Sequence, residues 1–581
     1  MKRLILAVFF FAVPAVAAPI RWQTWNDNLF AQAKKENRFV LLDLEAVWCH
    51  WCHVMDEQTY SDPAVIKLID ERYIAVRVDQ DSRPDLSNRY EDYGWPATIV
   101  LNGDGGEIVK RSGYIPPNEM TSMLQAIIDD PSPGPSVFAE KTPHFGASAQ
   151  MRDSLRKKLE GLHRKWYDAK NGGWGFSHKY ADVPSVEYAI ERGDEENRRM
   201  ARQTLDGERN LLDPVWGGVY QYSTGGVWSE PHFEKIMSMQ AGNLRIAALA
   251  YARWRDPRDL AAAQSIRRYL VTFLRSPEGA FYTSQNADLV DGEHAGDYFA
   301  LDDAHRRAKG IPRIDKHRYA RENGWAIEAL VALATASGDQ TALDDARRAA
   351  EWVYANLRRD DGGFKHGAEP ATNRGGPFLG DTLSMGRASL ALYAATGDRL
   401  WLRRAEEAAA FIEKKFRATP GYLTAKPVAM MPPKRQRDEN VDVARFANLL
   451  FQYDGKPLHE KMAKNAMRYL AADEIASAWP VGGVLLADLE MRKAPLHVTV
   501  VGSKSDTAAQ ALFRAAGTAG TEFKRIEWLD RSEGPLPNAT VEFPPLKRAA
   551  AFLCTENRCS LPAYSVADLE IRLRAWRNAV P

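Results

Sequence analysis

The 581-residue chain has only four cysteines. That is too few for a disulfide-built scaffold, and a chain of this length buries large cores without covalent staples. It has no excess of either charge: 77 lysines and arginines stand against 76 aspartates and glutamates. A near-zero balance removes the electrostatic basis for nucleic-acid binding or for strong attachment to acidic membranes. Beyond residue 17, no apolar run approaches the roughly 20 residues that a membrane-crossing helix needs. Its recurrent motifs are irregularly spaced, which excludes a short-period solenoid. Length alone predicts about two to four domains.

The first residues differ from the rest. Met1-Lys2-Arg3 precedes an apolar stretch from Leu4 to Val13, then Pro14-Ala15-Val16-Ala17-Ala18. A basic start, a short apolar core and a small-residue site predict a signal peptide over 1–17, cleaved after Ala17. No cysteine lies at that site, so no lipid anchor is expected. The expected destination is periplasmic or secreted, where disulfides persist.

The chemistry concentrates in Trp48-Cys49-His50-Trp51-Cys52-His53, directly after the apolar run Phe39-Val40-Leu41-Leu42. A strand giving way to a helix here puts Cys49 at the helix N-terminus. Free backbone N–H groups and the positive end of the helix dipole then favour thiolate over thiol. Cys52 lies one turn on, on the same face, within reach for a disulfide. A redox pair is the leading reading, with Cys49 attacking, Cys52 resolving, and His50, Trp51 and His53 tuning the potential. A structural disulfide and a zinc site on the cysteines and histidines are the alternatives.

Residues 18–130 read as one α/β unit. Expected elements are a helix over 25–37, strands over 39–46 and 73–78, and a helix capped by Asp62 with Pro63 in its first turn. A hairpin follows around Asn102-Gly103-Asp104-Gly105, then a last helix near Asn118. The Pro-rich stretch from Pro131 to Pro135 opens a linker over 131–148. Residues 149–480 are periodic amphipathic helices, about eleven or twelve in number. They are joined by glycine–aromatic turns such as Gly172-Gly173-Trp174, Gly217-Gly218-Val219-Tyr220 and Gly362-Gly363-Phe364. This pattern predicts an (α/α)6 toroid. Residues 481–581 read as a small α/β region. Its strand ending at Gly502 lacks the full fingerprint of a phosphate loop, and no cofactor is expected.

Residues 39–52 resemble the core strand and active-site turn of thioredoxin-like proteins. The resemblance implies that Asp43 is the buried carboxylate assisting proton transfer at the second cysteine. It also implies that Pro96, in Gly94-Trp95-Pro96, is the cis-proline facing the pair. More widely, the chain is similar to the thioredoxin-domain family that includes spermatogenesis-associated protein 20. The motifs are Cys49-His50-Trp51-Cys52-His53-Val54-Met55, Gly94-Trp95-Pro96, Pro231-His232-Phe233-Glu234-Lys235, Asn323-Gly324 and the Cys554–Pro562 segment. The family implies a thioredoxin-like domain joined to a toroid similar to sugar epimerases and six-hairpin glycosidases. Ser177-His178-Lys179-Tyr180-Ala181 and Glu322-Asn323-Gly324 depart from its pattern, whereas Asp43 and Trp48 move toward ordinary thioredoxins.

In the toroid, His232, Glu234, Asp288, Glu293 and Asp381 lie near helix junctions, with Trp216 and Trp228 expected to be exposed. Such groups suit acid–base work on a sugar; the alternative is that they cap helices and fill the core. Cys554 and Cys559 are expected to close a local disulfide. The expected function is an exported thiol–disulfide oxidoreductase acting on a protein partner, its toroid binding substrate. A carbohydrate-active enzyme with an accessory thioredoxin-like domain is the alternative.

Overall fold

Phe39–Glu45 is apolar at five of seven positions and becomes β1, the central strand of a four-stranded sheet ordered β2-β1-β3-β4. β2 (Tyr73–Asp79) runs parallel to it, while β3 (Ala97–Leu101) and β4 (Glu107–Ser112) add antiparallel pairings. Leu41 and Val100 look into a cluster with Met55, Ile69 and Leu124 from helices His50–Gln58, Pro63–Arg72 and Pro117–Asp129. The Asp62 carboxylate caps the second of these by accepting from Ala64 and Val65 N–H. This order of elements is that of a thioredoxin fold.

The computed structural model describes residues 19–134, 142–427, 431–539, 541–555 and 559–579. The expected signal segment and the middle of the expected linker (135–141) lie outside the described residues. The chain divides into two compact units: one runs up to Asp79 and resumes from Asp92 to Phe138, the other comprises Gln80–Glu91 and everything from Ala139 on. The expected single unit over 18–130 is therefore corrected. Gln80–Glu91 packs with the helical unit because its polar side chains find partners there.

In that second unit, six helices form a closed inner ring: Val183–Arg192, Met237–Trp254, Ala320–Ser337, Leu379–Thr396, Arg437–Asp454 and Gly482–Arg492. Each packs on an outer helix, and the first outer helix, Asp153–Lys165, pairs with the last inner one. This is an (α/α)6 toroid. Its sixth inner helix lies beyond the expected boundary at 480, because an inner helix must meet Asp153–Lys165 to close the ring.

At one end of the toroid, inner helices turn straight into outer ones through a left-handed residue followed by a capping aspartate. Gly193-Asp194, Arg255-Asp256, Gly338-Asp339 and Gly397-Asp398 all do this. At the other end the connections are long and carry the glycine–aromatic motifs. Gly218 shows why glycine is needed: its φ is +77° and a Cβ there would lie 2.6 Å from the Tyr269 ring.

One side chain clamps several of these turns. The fourth residue of an inner helix exchanges hydrogen bonds with the backbone of a residue one or two places after the glycine. Gln240 does so with Val219, Asn323 with Phe281 and Asn440 with Tyr422. Thr382 supplies a single bond to Phe364 N–H.

After the ring, Leu496–Val501, Lys524–Leu529 and Ala550–Cys554 form a three-stranded sheet. The first two pair in parallel and the third antiparallel, with Thr507–Gly517 crossing between and Val566–Ala579 last. The strand pairing repeats that of β1, β2 and β3. Where the first sheet leads into Cys49, this one leads into Gly502-Ser503-Lys504-Ser505-Asp506, which holds no cysteine. Cys554, at the end of the third strand, is joined to Cys559 by a disulfide.

Candidate functional site

β1 ends at Glu45, and Cys49 becomes the N-cap of His50–Gln58 with extended backbone. No Ser, Thr, Asn or Asp is available to cap this helix. The Cys49 sulfur takes that role, accepting from Cys52 N–H at 3.1 Å. Cys49 and Cys52 are joined in a disulfide with Cα atoms 5.3 Å apart. The first turn carries no acidic residue, so no carboxylate of that turn opposes the positive field of the helix N-terminus at Cys49.

The cysteines are both buried, as are His50 and His53, while Trp51 stands 40% exposed. The Trp51 ring lies 5.9 Å from that of Tyr114 and 5.3 Å from that of His50. Trp48 packs edge-on to Trp95 at 6.1 Å, and the Trp95–Pro96 bond is cis. Pro96 is buried, its carbonyl accepting from Gly113 N–H at 2.8 Å.

Asp43 sits in the middle of β1, buried, in register with Arg77 on β2 and Thr98 on β3. Arg77 is central to a charged cluster that the sequence reading missed. Its guanidinium donates to Asp43 at 3.0 Å, meets Glu45 at 3.1 Å and pairs with Asp56. The Trp22 ring covers it, 4.1 Å from centroid to guanidinium carbon. Burial pushes the Asp43 carboxyl up to about 6 against the pull of Arg77. Burial, reinforced by the Asp43 charge, pushes Glu45 up to about 8. Three carboxylates share one guanidinium, so the group is over-supplied with negative charge and holds protons. Asp43, Glu45 and Asp56 are near enough to one another to ligate a cation, and Arg77 already provides one among them.

The residues singled out in the toroid fall into separate local clusters. Trp216 and Trp228 are buried, correcting their expected exposure. Trp216 packs on Phe273 and donates to Asp303, and Trp228 donates to the Asn171 carbonyl. Both fill space beside glycine turns, where a large flat ring suits the gap. His232 lies in a two-residue strand and stacks on Tyr222 at 4.4 Å. Glu234 is buried one residue before Lys235, whose ammonium is held by Asp213 at 2.7 Å and the Gly217 carbonyl at 2.8 Å. Asp288 accepts from Gly292 N–H within its own loop, and Glu293 is exposed.

Asp381 is the exception, because it meets a histidine the sequence reading passed over. His366 Nδ1 lies 2.8 Å from the Asp381 carboxylate, and its Nε2 lies 2.7 Å from the Asp81 carbonyl. A carbonyl only accepts, so Nε2 carries a proton, and an ionised Asp381 accepts from Nδ1 when the imidazole is protonated there as well. Burial pulls the imidazole down, but the Asp381 charge outweighs it and the net shift is upward. Tyr319 stacks on His366 at 4.1 Å. The segment Gln80–Glu91 engages further groups here: Asn88 donates to Glu439, Gln436 donates to Glu91, and Arg89 donates to the Pro432 carbonyl.

Residues 2–129 match the family model Thioredox_DsbH, a protein of unknown function, DUF255. Uncharacterized protein B0495.5 of Caenorhabditis elegans is 21% identical over 701 residues, covering 95% of this chain and 94% of that protein. Spermatogenesis-associated protein 20 of Mus musculus is 25% identical over 312 residues, covering 46% of this chain and 39% of that protein. The chain is similar to these proteins, and its match to the family model lies within residues 2–129. Thiol:disulfide interchange protein DsbD 2 of Pseudomonas aeruginosa is 32% identical over 84 residues, 14% of each chain. Among solved structures, a sugar epimerase from a ruminal bacterium is similar with a TM-score of 0.43 and 15% identity, covering 55% of this chain and 85% of that one. The thioredoxin-like sheet leads into the Cys49–Cys52 pair, while the toroid's architecture rests on its own helix packing.

Proposed function

We propose that this protein is an exported thiol–disulfide oxidoreductase that uses Cys49 and Cys52 on a protein partner. The observation that supports this best is a disulfide whose first sulfur caps a helix N-terminus directly after the central strand of a thioredoxin-type sheet. Reduction of a partner runs as two displacements. The Cys49 thiolate attacks a partner disulfide, forms a mixed disulfide and releases one partner thiolate. The Cys52 thiolate then attacks Cys49 Sγ, forms the internal disulfide and releases the second. Two electrons pass to the partner, and the reverse sequence oxidises it. Asp43, buried on β1 with its carboxyl raised to about 6, takes the proton that Cys52 loses before the second displacement.

Exposed Trp51 forms the partner-facing rim. Export is supported by the pattern over 1–17, and N-terminal sequencing of protein from the periplasm or medium is expected to begin at Ala18. A Cys52→Ser variant is expected to accumulate a mixed disulfide on Cys49, and Cys49→Ser to lose insulin-disulfide reduction. Full retention of that activity in Cys49→Ser contradicts the assignment.

A further inference from the structure

The inner ring of the toroid carries a regular feature that no step above uses. The ninth residue of five inner helices is charged: Arg245, Glu328, Arg387, Arg445 and Glu490. Glu187, on the remaining inner helix, completes the set. Arg445 joins Glu187 and Glu490, Arg245 donates to Glu187 at 2.6 Å, and Arg387 grips Glu328 at 2.7 and 3.0 Å and also pairs with Asp442. Buried ion pairs are poor sources of stability, since desolvation consumes most of the attraction. A charged residue from each of six helices at one level therefore calls for another explanation.

Above this ring lies a cavity of about 100 Å³. Its walls are the C-terminal halves of the inner helices, with Val331, Ala332, Leu390, Ala391 and Leu449 giving an aliphatic surface. Its roof comes from the C-terminal region, through Glu522, Phe523, Lys524 and Ile526. Three charged groups here have unused capacity, one being Lys524, whose ammonium gives a single hydrogen bond, to the Gly517 carbonyl. Among the described residues, the Glu522 carboxylate makes no hydrogen bond or ion pair; its bonds run through the backbone, its N–H donating to Glu191 and its carbonyl accepting from Lys524 N–H. Burial raises its carboxyl above the usual range although Lys524 is near. The Arg245 guanidinium makes one hydrogen bond, to Glu187, which leaves donors free. The cavity thus offers one carboxylate and one guanidinium fork, of opposite charge, with the Lys524 ammonium beside Glu522, against an aliphatic wall.

We propose that this cavity binds a small zwitterion of the amino-acid type, its ammonium on Glu522 and its carboxylate on Arg245. A singly charged ligand satisfies only one of the two groups. An apolar cavity of about 150 Å³ takes a benzene ring, so the size here suits about five or six non-hydrogen atoms.

Titration calorimetry of the full chain with glycine and L-alanine, against propylamine and propionate as singly charged controls, tests this. Saturable one-to-one binding of L-alanine or glycine is expected, with either control at least about tenfold weaker. Glu522→Gln keeps the volume, removes the charge and is expected to cost about tenfold or more in affinity. Ala391→Leu fills the cavity and is expected to abolish binding while leaving thiol exchange at Cys49 unchanged. The proposal is overturned if neither zwitterion binds below about 10 mM. Equal binding of a control, or unchanged affinity in Glu522→Gln, overturns it as well, and the cavity then holds water only.

Discussion

A single guanidinium sets the electrostatics beneath the redox pair. Arg77 holds Asp43, Glu45 and Asp56 together, yet burial still leaves Asp43 and Glu45 raised to about 6 and about 8, from 3.8 and 4.5. Upward shifts mean that the folded chain keeps protons which the unfolded chain has already released. Stability from these groups is complete below the ordinary carboxylate range and falls as pH rises through 6 and then 8. Urea titrations between pH 5 and pH 9 are expected to show this decline, and Glu45→Gln to flatten its upper part. A stability that rises across the interval contradicts the assignment. Arg77→Met removes the common partner and is expected to destabilise the thioredoxin-like unit by about 3–5 kcal/mol. The sequence displays Asp43 because it stands alone in an apolar strand, but hides the cluster, since Arg77 and Asp56 reach it only through strand pairing.

The glycine–aromatic turns were the legible part of the toroid. Glycine followed by a large ring signals a sharp reversal with a plug behind it. What could not be read was the clamp, because an amide four residues into an amphipathic helix resembles any partly exposed polar side chain. Asn440 gives and receives one hydrogen bond with the Tyr422 backbone and is fully buried. Asn440→Leu leaves a buried N–H and a buried carbonyl without partners, for an expected loss of about 2–4 kcal/mol in thermal or urea unfolding. Gln240→Leu is expected to act alike at Val219. Loss under about 0.5 kcal/mol in either means the turns hold without the clamp. The charged ring was hidden for the same reason: a lone Arg or Glu in a helix is ordinarily taken for its solvent face. The sheet strands and the hairpin at 102–105 were plain, being apolar runs punctuated by turn residues.

Across the whole molecule, the largest departure from the sequence reading is Gln80–Glu91. Its composition is that of a surface loop opening a helix at Pro84, and nothing local says that it packs with the toroid. His366 bridges it to Asp381 through both ring nitrogens. His366→Ala removes the imidazole that meets the buried Asp381 carboxylate and the donor to the Asp81 carbonyl. The variant is expected to exchange amide hydrogens faster across 80–91 and to melt at a lower temperature than the parent. Unchanged protection of that segment argues that its other contacts suffice. Equally illegible was the repeat of the first sheet's strand pairing at the C-terminus, where the cysteine pair is absent from the corresponding turn and the topology appears only once strands are paired.

The central claim is that Cys49 and Cys52 form a reversible two-electron couple. Equilibrate the protein in glutathione buffers of graded ratio, trap with an alkylating agent, and count modified cysteines by mass spectrometry. The account predicts a single two-electron transition at this pair, with Cys49 alkylated before Cys52 in the reduced form near neutral pH. A pair that stays oxidised throughout, or one that is reduced yet shielded from alkylation until a chelator is added, contradicts it.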